Sequence, residues 1–203
     1  MPKKSNALGS WFLARGVQVC SLIITIIAFT LAATPASADP AAAWAALSRG
    51  GHVALLRHAD APGGAGDPPG FKLDDCSTQR NLSNKGRADA AAIGAEVKAK
   101  RVSFSRVVSS PWCRCLETAR LMNLGPVEVE PTFSNAFVLR NRHDELKQGA
   151  TAFLKAWTSG TLLVVTHGAN IQALTGVNPS SGEILVVNTQ TTPLTVIGRI
   201  PPP

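Results

Sequence analysis

Short apolar runs alternate with helical stretches along most of the chain, and this alternation limits the fold more than any other feature. Six runs have the pattern of buried strands, at 52–56, 106–108, 127–129, 161–165, 184–187 and 194–197. Strands that alternate with helices are typical of layered α/β domains with a mostly parallel sheet. The last two runs predict a closing hairpin, with Pro193 at a strand start or on an edge strand. We therefore expect a three-layer α/β/α fold.

The stretches between these runs predict helices over 84–100, over 145–157, from Ser110 onward and shortly after Gly168. Ser is a frequent N-cap and Pro suits the first helical position, so Ser110-Pro111 predicts the start of its helix. Residues 61–70 contain three prolines and four glycines. That composition predicts a mobile surface loop.

Three short polar motifs each follow a predicted strand directly. They are Arg57-His58-Ala59, the segment 109–114 that ends in Arg114, and Thr166-His167-Gly168. The carboxyl ends of parallel strands meet at one edge of a sheet, where ligands bind. We therefore expect His58, His167, Arg57 and Arg114 to converge there, although they are far apart in the sequence.

The first 38 residues have the features of a secretory signal peptide. The segment has Lys3, Lys4 and Arg15 and no acidic residue, then an apolar run over 17–33, and it ends in Ala36-Ser37-Ala38. An uncleaved membrane anchor is the alternative, because about 17 apolar residues are the lower limit for a membrane span. We expect cleavage after Ala38, a periplasmic or secreted chain of residues 39–203, and no stable membrane association after cleavage.

Charge and cysteine content restrict the ligands and the disulfide bonds that we expect of this mature chain. It has 17 basic and 13 acidic residues, a net charge of +4, with no run of like charges. This favours small anionic substrates slightly and argues against nucleic-acid binding. Cys113 and Cys115 are too close in one helical turn to pair easily, so we expect Cys76 to form a disulfide with one of them. The cysteine spacing disfavours a metal site, and we expect neither metal nor cofactor.

Four segments together resemble the ordered motifs of the histidine phosphatase superfamily, which has the phosphoglycerate mutase-like fold. The segments are Leu56-Arg-His-Ala-Asp60, Asn81-Leu-Ser-Asn-Lys-Gly-Arg87, Ser109-Ser-Pro-Trp-Cys-Arg-Cys-Leu-Glu-Thr-Ala119 and Val165-Thr-His-Gly168. The match spans roughly residues 52–168. The resemblance implies a small, metal-independent phosphomonoesterase that acts on a small phosphorylated substrate.

The chemistry of four residues fits this resemblance. Phosphoryl transfer requires mainly positioning and charge stabilisation on the equatorial oxygens, which Arg57 and Arg114 can supply. A neutral His58 would attack phosphorus and form a phosphohistidine that water then cleaves. His167, at the start of its helix, would donate a hydrogen bond to a phosphoryl oxygen.

The sequence departs from the family pattern at Ala59, where the family usually has glycine, and more seriously at the proton donor. Many members have a glutamate after the third strand, but residues 133–137 contain no acid. Compact phosphohistidine phosphatases lack that glutamate, and their motifs resemble Asp60 and Arg80 here. We therefore expect Arg80 to be a further phosphate contact and Asp60 to orient a site residue or carry protons. Asp144, Glu145 or solvent would protonate the leaving group.

Two other functions compete with a phosphatase. A phosphoglycerate mutase-like phosphotransferase is less compatible with the short chain and the leader, since mutases of this fold are typically longer. A non-catalytic module that binds phosphorylated ligands is less compatible with the presence of both histidines and both arginines. The substrate stays open among phosphosugars of the lipopolysaccharide core, phosphohistidine proteins and general phosphomonoesters, and so does the oligomeric state.

Overall fold

Six strands form one sheet in the computed structural model, which describes residues 39–203. The strands are β1 (Val53–Arg57), β2 (Arg106–Ser109), β3 (Val127–Val129), β4 (Leu162–Thr166), β5 (Ile184–Asn188) and β6 (Thr195–Ile200). Their order in the sheet is β3-β2-β4-β1-β5-β6. The pairings among the first four strands in this order are parallel, whereas β1–β5 and β5–β6 are antiparallel. The mostly parallel sheet and its closing hairpin are therefore confirmed, and the predicted signal peptide lies outside the described residues.

Five α-helices surround the sheet. They are α1 (Pro40–Arg49), α2 (Asn84–Ala99), α3 (Cys113–Met122), α4 (His143–Lys155) and α5 (Gly168–Thr175). Short 3₁₀ helices lie at Cys76–Thr78, Pro131–Phe133 and Arg140–Arg142. None of the helices within residues 39–203 is both long enough and apolar enough to cross a membrane.

Each face of the sheet has its own hydrophobic core, because successive side chains of a strand point to opposite faces. Ala54 and Leu56 of β1 face a core that contains residues of α1, α2 and α3. Val53 and Leu55 face a second core with residues of α4 and α5. The helices thus cover both faces, and the expected α/β/α arrangement is confirmed.

Helix α3 begins later than the sequence suggests. The N-cap is Trp112, whose backbone is extended and whose side chain makes no capping bond. The prediction that Ser110 and Pro111 open the helix is wrong: the Ser110 hydroxyl accepts only a long bond from the Trp112 amide, at 3.4 Å, and its short contact is with His167, with 2.8 Å between Oγ and Nε2. The shift leaves residues 110–112 as a connector between β2 and α3.

Two glycines let helix α2 approach its neighbours closely. A Cβ at Gly86 would lie 2.1 Å from the backbone oxygen of Asp60, and a Cβ at Gly94 would lie 2.1 Å from the backbone oxygen of Met122. Neither position has room for a side chain. Helix α2 therefore packs its backbone against the loop after β1 at one end and against the end of α3 at the other.

A disulfide links Cys76 to Cys113, with 5.7 Å between their Cα atoms. Cys115 is buried and has a free thiol. Burial raises the pKa of the Cys115 thiol to about 12, so it stays protonated and unreactive at neutral pH. Of the two pairings that the sequence left open, the structure contains the one with Cys113.

Candidate active site

Three neighbouring parallel strands place the polar motifs at one edge of the sheet. His58 follows β1, Ser110 follows β2 and His167 follows β4, the strand between them. The amides of His58 and Ser110 donate hydrogen bonds to β4 at the carbonyls of Thr166 and Val165, both at 2.9 Å. The sheet pairing therefore continues one residue beyond the strands, and it fixes the backbones that carry these side chains.

A cavity of about 370 Å³ opens at this edge. Its wall includes four of the predicted site residues together with backbone, amide and aromatic groups: Arg57, His58, Gly64, Ala65, Gly66, Arg80, Asn135, Phe137, His167, Gly168, Ala169, Gln172 and Asn178. The first residues of α5, Gly168 and Ala169, are part of this wall. Because the N-terminus of a helix attracts negative charge, the cavity suits an anionic ligand.

His58 has its ring fixed in one orientation. Nδ1 lies 2.8 Å from the carbonyl oxygen of Ala59, and since a carbonyl can only accept, Nδ1 carries the proton and Nε2 keeps its lone pair. Burial lowers the pKa of His58 to about 3, and the charge of Arg114 contributes to this shift. The ring is therefore neutral at physiological pH, with the unprotonated Nε2 available as a nucleophile.

His167 lies beside His58, with 5.5 Å between the ring centroids. The ring is buried and lies between the Ser110 hydroxyl, 2.8 Å from Nε2, and the guanidinium of Arg114, whose Nη2 is 3.5 Å from Nδ1. Burial, with a further contribution from Arg114, lowers the pKa of His167 well below its ordinary value. Ser110 was not predicted as a site residue, and nothing in its local sequence distinguishes it from a helix cap.

Arg114 is held by an acid that the sequence did not point to. Its Nη1 donates to Oδ1 of Asp67 at 2.7 Å and its Nη2 donates to Oδ2 at 3.2 Å. Both side chains are fully buried. Asp67 lies in the loop 61–70, where it is the single acidic residue among prolines, glycines and alanines. That isolation is the one sequence signal that could have marked it.

Arg114 is not part of the cavity wall, but two other arginines, Arg57 and Arg80, are. Arg57 donates from Nη1 to the carbonyl oxygen of Pro179 at 2.8 Å. Its Nε, alone among the buried side-chain nitrogens and oxygens of residues 39–203, has no hydrogen-bond partner. Arg80 donates from Nε to the carbonyl oxygen of Gly66 at 2.9 Å and from Nη1 to that of Ala61. A buried donor without a partner is costly, and the guanidinium of Arg57 on the cavity wall adds positive charge that suits an anionic ligand.

Thr118 connects the two sides of the site. Its hydroxyl accepts a hydrogen bond from the amide of Ala59 at 3.1 Å and donates to the carbonyl oxygen of Arg114 at 2.7 Å. The side chain thus ties the loop that carries His58 to the helix that carries Arg114.

The predicted acids lie away from the cavity wall. Asp60 accepts from the Ser83 hydroxyl at 2.6 Å, and its carbonyl oxygen accepts from the Ser83 amide at 3.0 Å. Asp144 pairs with His143, and Glu145 pairs with Arg142 on the exposed side of α4. None of the described residues that line the cavity is an aspartate or a glutamate. The contact of Asp60 with Ser83 anchors the start of α2. Of the predicted site residues, the structure brings together Arg57, His58, Arg80, Arg114 and His167.

A parallel α/β sheet with a neutral histidine and several guanidinium groups at its carboxyl edge is an arrangement suited to binding and transferring phosphoryl groups. The family comparison agrees with this. Residues 53–158 match the family model described as histidine phosphatase superfamily (branch 1), and the chain belongs to this family. Its members include phosphatases and phosphotransferases.

Solved structures show the same fold. The protein histidine phosphatase SixA, in complex with tungstate, aligns with a TM-score of 0.56 at 20% identity over 74% of this chain and 96% of that one. The protein TTHB049 from Thermus thermophilus gives 0.55 at 15% identity over 74% and 99%. A protein described as phosphohistidine phosphatase SixA from Agrobacterium tumefaciens gives 0.53 at 21% identity over 74% and 97%. No curated protein matches the chain.

Proposed function

We propose that the protein is an exported, metal-independent phosphomonoesterase that forms a phosphohistidine intermediate on His58. The observation that carries the proposal is the orientation of the His58 ring. Its Nδ1 donates a hydrogen bond to the carbonyl oxygen of Ala59 at 2.8 Å, and its Nε2 lies 3.3 Å from Nε of Arg114, which is buried behind the cavity wall. A fixed, neutral imidazole beside a permanently charged donor is what an in-line attack on a phosphoryl group requires.

The reaction follows from this geometry in two steps. The Nε2 lone pair of His58 forms a bond to phosphorus while the bond from phosphorus to the leaving oxygen breaks, and that oxygen takes a proton from solvent. Arg57 and Arg114 bind the equatorial oxygens. The Ala59 carbonyl accepts a hydrogen bond from the Nδ1–H group and so stabilises the positive phosphorylated ring. Water then attacks phosphorus, the nitrogen–phosphorus bond breaks, phosphate leaves with the excess proton passing to solvent, and His58 returns to its neutral form.

Metal independence is supported by the positive charge already present in the site. Arg57, Arg80 and Arg114 supply three guanidinium groups, of which Arg114 is paired with the Asp67 carboxylate, so the charge that a divalent cation would provide is available from the chain itself. Solvent is the proposed source of the leaving-group proton, because the cavity wall has no carboxylate among its described residues.

Export is supported by two independent features. The first 38 residues have the pattern of a secretory signal peptide. The Cys76–Cys113 disulfide is the kind of bond that persists outside the reducing cytoplasm. We propose a periplasmic or secreted location, with a small phosphorylated molecule as substrate.

The test is phosphate release from p-nitrophenyl phosphate by residues 39–203, with and without a chelator. We expect turnover that resists the chelator, a loss of at least about 10³-fold in His58→Ala, and unchanged turnover in His52→Ala, which removes an imidazole outside the cavity. An acid-labile, base-stable phosphoprotein should accumulate in wild type and not in His58→Ala. Equal turnover in wild type and His58→Ala would contradict the mechanism. Phosphate transfer to an added alcohol in place of water would indicate a phosphotransferase.

A further inference from the structure

The five N–H groups of the Arg114 guanidinium divide into two sets. Three of them donate to acceptors in the segment between β1 and α2. Nη1 donates to Asp67 at 2.7 Å and to the carbonyl oxygen of Arg80 at 3.2 Å, and Nη2 donates to Asp67 at 3.2 Å. The other two face imidazole nitrogens, from Nε to Nε2 of His58 at 3.3 Å and from Nη2 to Nδ1 of His167 at 3.5 Å. One edge of the guanidinium is therefore bound to a carboxylate, and the other faces the two histidines.

Each edge of a guanidinium can bind an oxyanion through two parallel hydrogen bonds. Asp67 occupies the edge formed by Nη1 and Nη2. A phosphoryl group next to Nε2 of His58 would meet the edge formed by Nε and Nη2. The carboxylate and the phosphoryl group therefore bind different edges, and substrate can enter without displacing Asp67.

Asp67 is itself fixed by contacts other than Arg114. Its Oδ2 accepts from Nε1 of Trp112 at 2.9 Å, and its Oδ1 accepts from the amide of Arg80 at 3.0 Å. Although burial acts to raise the pKa of Asp67, the hydrogen bonds from Arg114, Arg80 and Trp112 outweigh it and lower the pKa. The side chain is thus a carboxylate at neutral pH, with donors from three residues around it.

From these contacts we propose that Asp67 is a positioning residue for phosphoryl transfer. It fixes Arg114 so that the edge formed by Nε and Nη2 faces the phosphoryl group on His58. This inference rests on the proposed function of the site. It also gives the loop 61–70, which the sequence marks only as a surface loop, a defined part in the reaction.

The test compares Asp67→Asn with Asp74→Asn, which removes the same charge from an exposed position of the same connecting segment. We expect Asp67→Asn to lower kcat for p-nitrophenyl phosphate by about 10- to 100-fold, with KM changed less than kcat, and Asp74→Asn to match wild type. In the Arg114→Gln background, Asp67→Asn should cause no further loss, because Asp67 acts through Arg114. Losses that multiply in the double variant, or a kcat like that of wild type in Asp67→Asn, would overturn the inference.

A spectroscopic measurement separates this inference from the proposed function. The ¹⁵Nε–¹H resonance of Arg114, assigned by its absence in Arg114→Gln, should be protected from exchange in wild type and in Asp74→Asn, and should lose protection in Asp67→Asn. This measurement does not depend on turnover, so it still tests the positioning role if wild type releases no phosphate. An unchanged resonance in Asp67→Asn would overturn the inference and leave the proposed function intact.

A second variant covers the case in which Asp67→Asn does not fold. Trp112→Phe keeps an aromatic ring and removes one hydrogen bond to Asp67, so it should cause the same changes to a smaller degree. The opposite model has Asp67 competing with substrate for Arg114. That model predicts that Asp67→Asn binds inorganic phosphate at least tenfold more tightly with no loss of kcat, and that result would also overturn the inference.

Discussion

The close contact at Gly86 leads to a quantitative prediction about the nucleophile loop. In Gly86→Ala the new Cβ would start 2.1 Å from the Asp60 oxygen, whereas ordinary van der Waals contacts begin at 3.4 Å. Helix α2 and the loop would have to separate by about 1 Å, which is a typical consequence of overpacking. Asp60 is two residues from His58, and a misplacement of about 1 Å in a catalytic group can cost about 10²-fold in rate.

Gly94→Ala is the matched control for this prediction. Its Cβ would also start 2.1 Å from a backbone oxygen, but that oxygen belongs to Met122 at the far end of α3. In both variants overpacking costs about 1–3 kcal/mol, and the better helix propensity of alanine offsets about 1 kcal/mol. We therefore expect similar free energies of unfolding for the two variants, each lowered by up to about 2 kcal/mol.

The two variants should differ in activity. The assay is kcat/KM for p-nitrophenyl phosphate on folded protein, together with urea unfolding of the same samples. We expect a loss of about 10²-fold for Gly86→Ala and of less than threefold for Gly94→Ala. If Gly86→Ala retained the activity of wild type, or if both variants lost activity equally, the inference that this contact positions the His58 loop would be refuted.

Two further predictions concern the buried histidines. The pKa of His58 is about 3 in the folded protein, whereas in the unfolded chain the imidazole takes up a proton below about pH 6.5. Because the unfolded chain then binds more protons, the free energy of unfolding should fall by about 1.4 kcal/mol per pH unit on acidification between these values. Urea unfolding from pH 7 to 4.5 checks this, and a slope that did not decrease in His58→Ala would contradict it. Ser110→Ala removes the hydroxyl that lies 2.8 Å from Nε2 of His167. This variant should lower the free energy of unfolding by about 1–3 kcal/mol and also reduce kcat. An unchanged free energy of unfolding and unchanged kinetics would show that the contact is dispensable.

The elements that sequence predicted well are those determined by local pattern. The apolar runs at 52–56 and 161–165 are long and continuous because their strands are buried on both faces, and the observed β1 and β4 differ from them by one residue. The sequence also predicts the helix over 84–100 within one residue of the observed α2, since its apolar and charged faces are distinct. This alternation predicts a mostly parallel sheet, and because the carboxyl ends of parallel strands meet at one edge, the motifs after β1, β2 and β4 could be expected to meet.

The features that sequence did not predict depend on contacts between distant residues. Asp67 and Arg114 are 47 residues apart, and composition alone assigns Asp67 to a surface loop. Ser110 has the local signature of an N-cap, but its hydroxyl pairs with His167, 57 residues away. In both cases a buried partner decides the role of a polar side chain, and local propensity contains no information about that partner.

The disulfide determines how the segment between β1 and α2 can open. Residues 58–83 contain one 3₁₀ helix, Cys76–Thr78, and one isolated bridge between Lys72 and Asp75. A segment with so little regular structure opens locally at a small free-energy cost, well below that of global unfolding. The bond from Cys76 to Cys113 fixes the far end of this segment one residue before Arg114, so opening is confined to the residues that precede it. Reduction would extend this opening to residues 76–83, so that the whole segment between β1 and α2 could open as one unit.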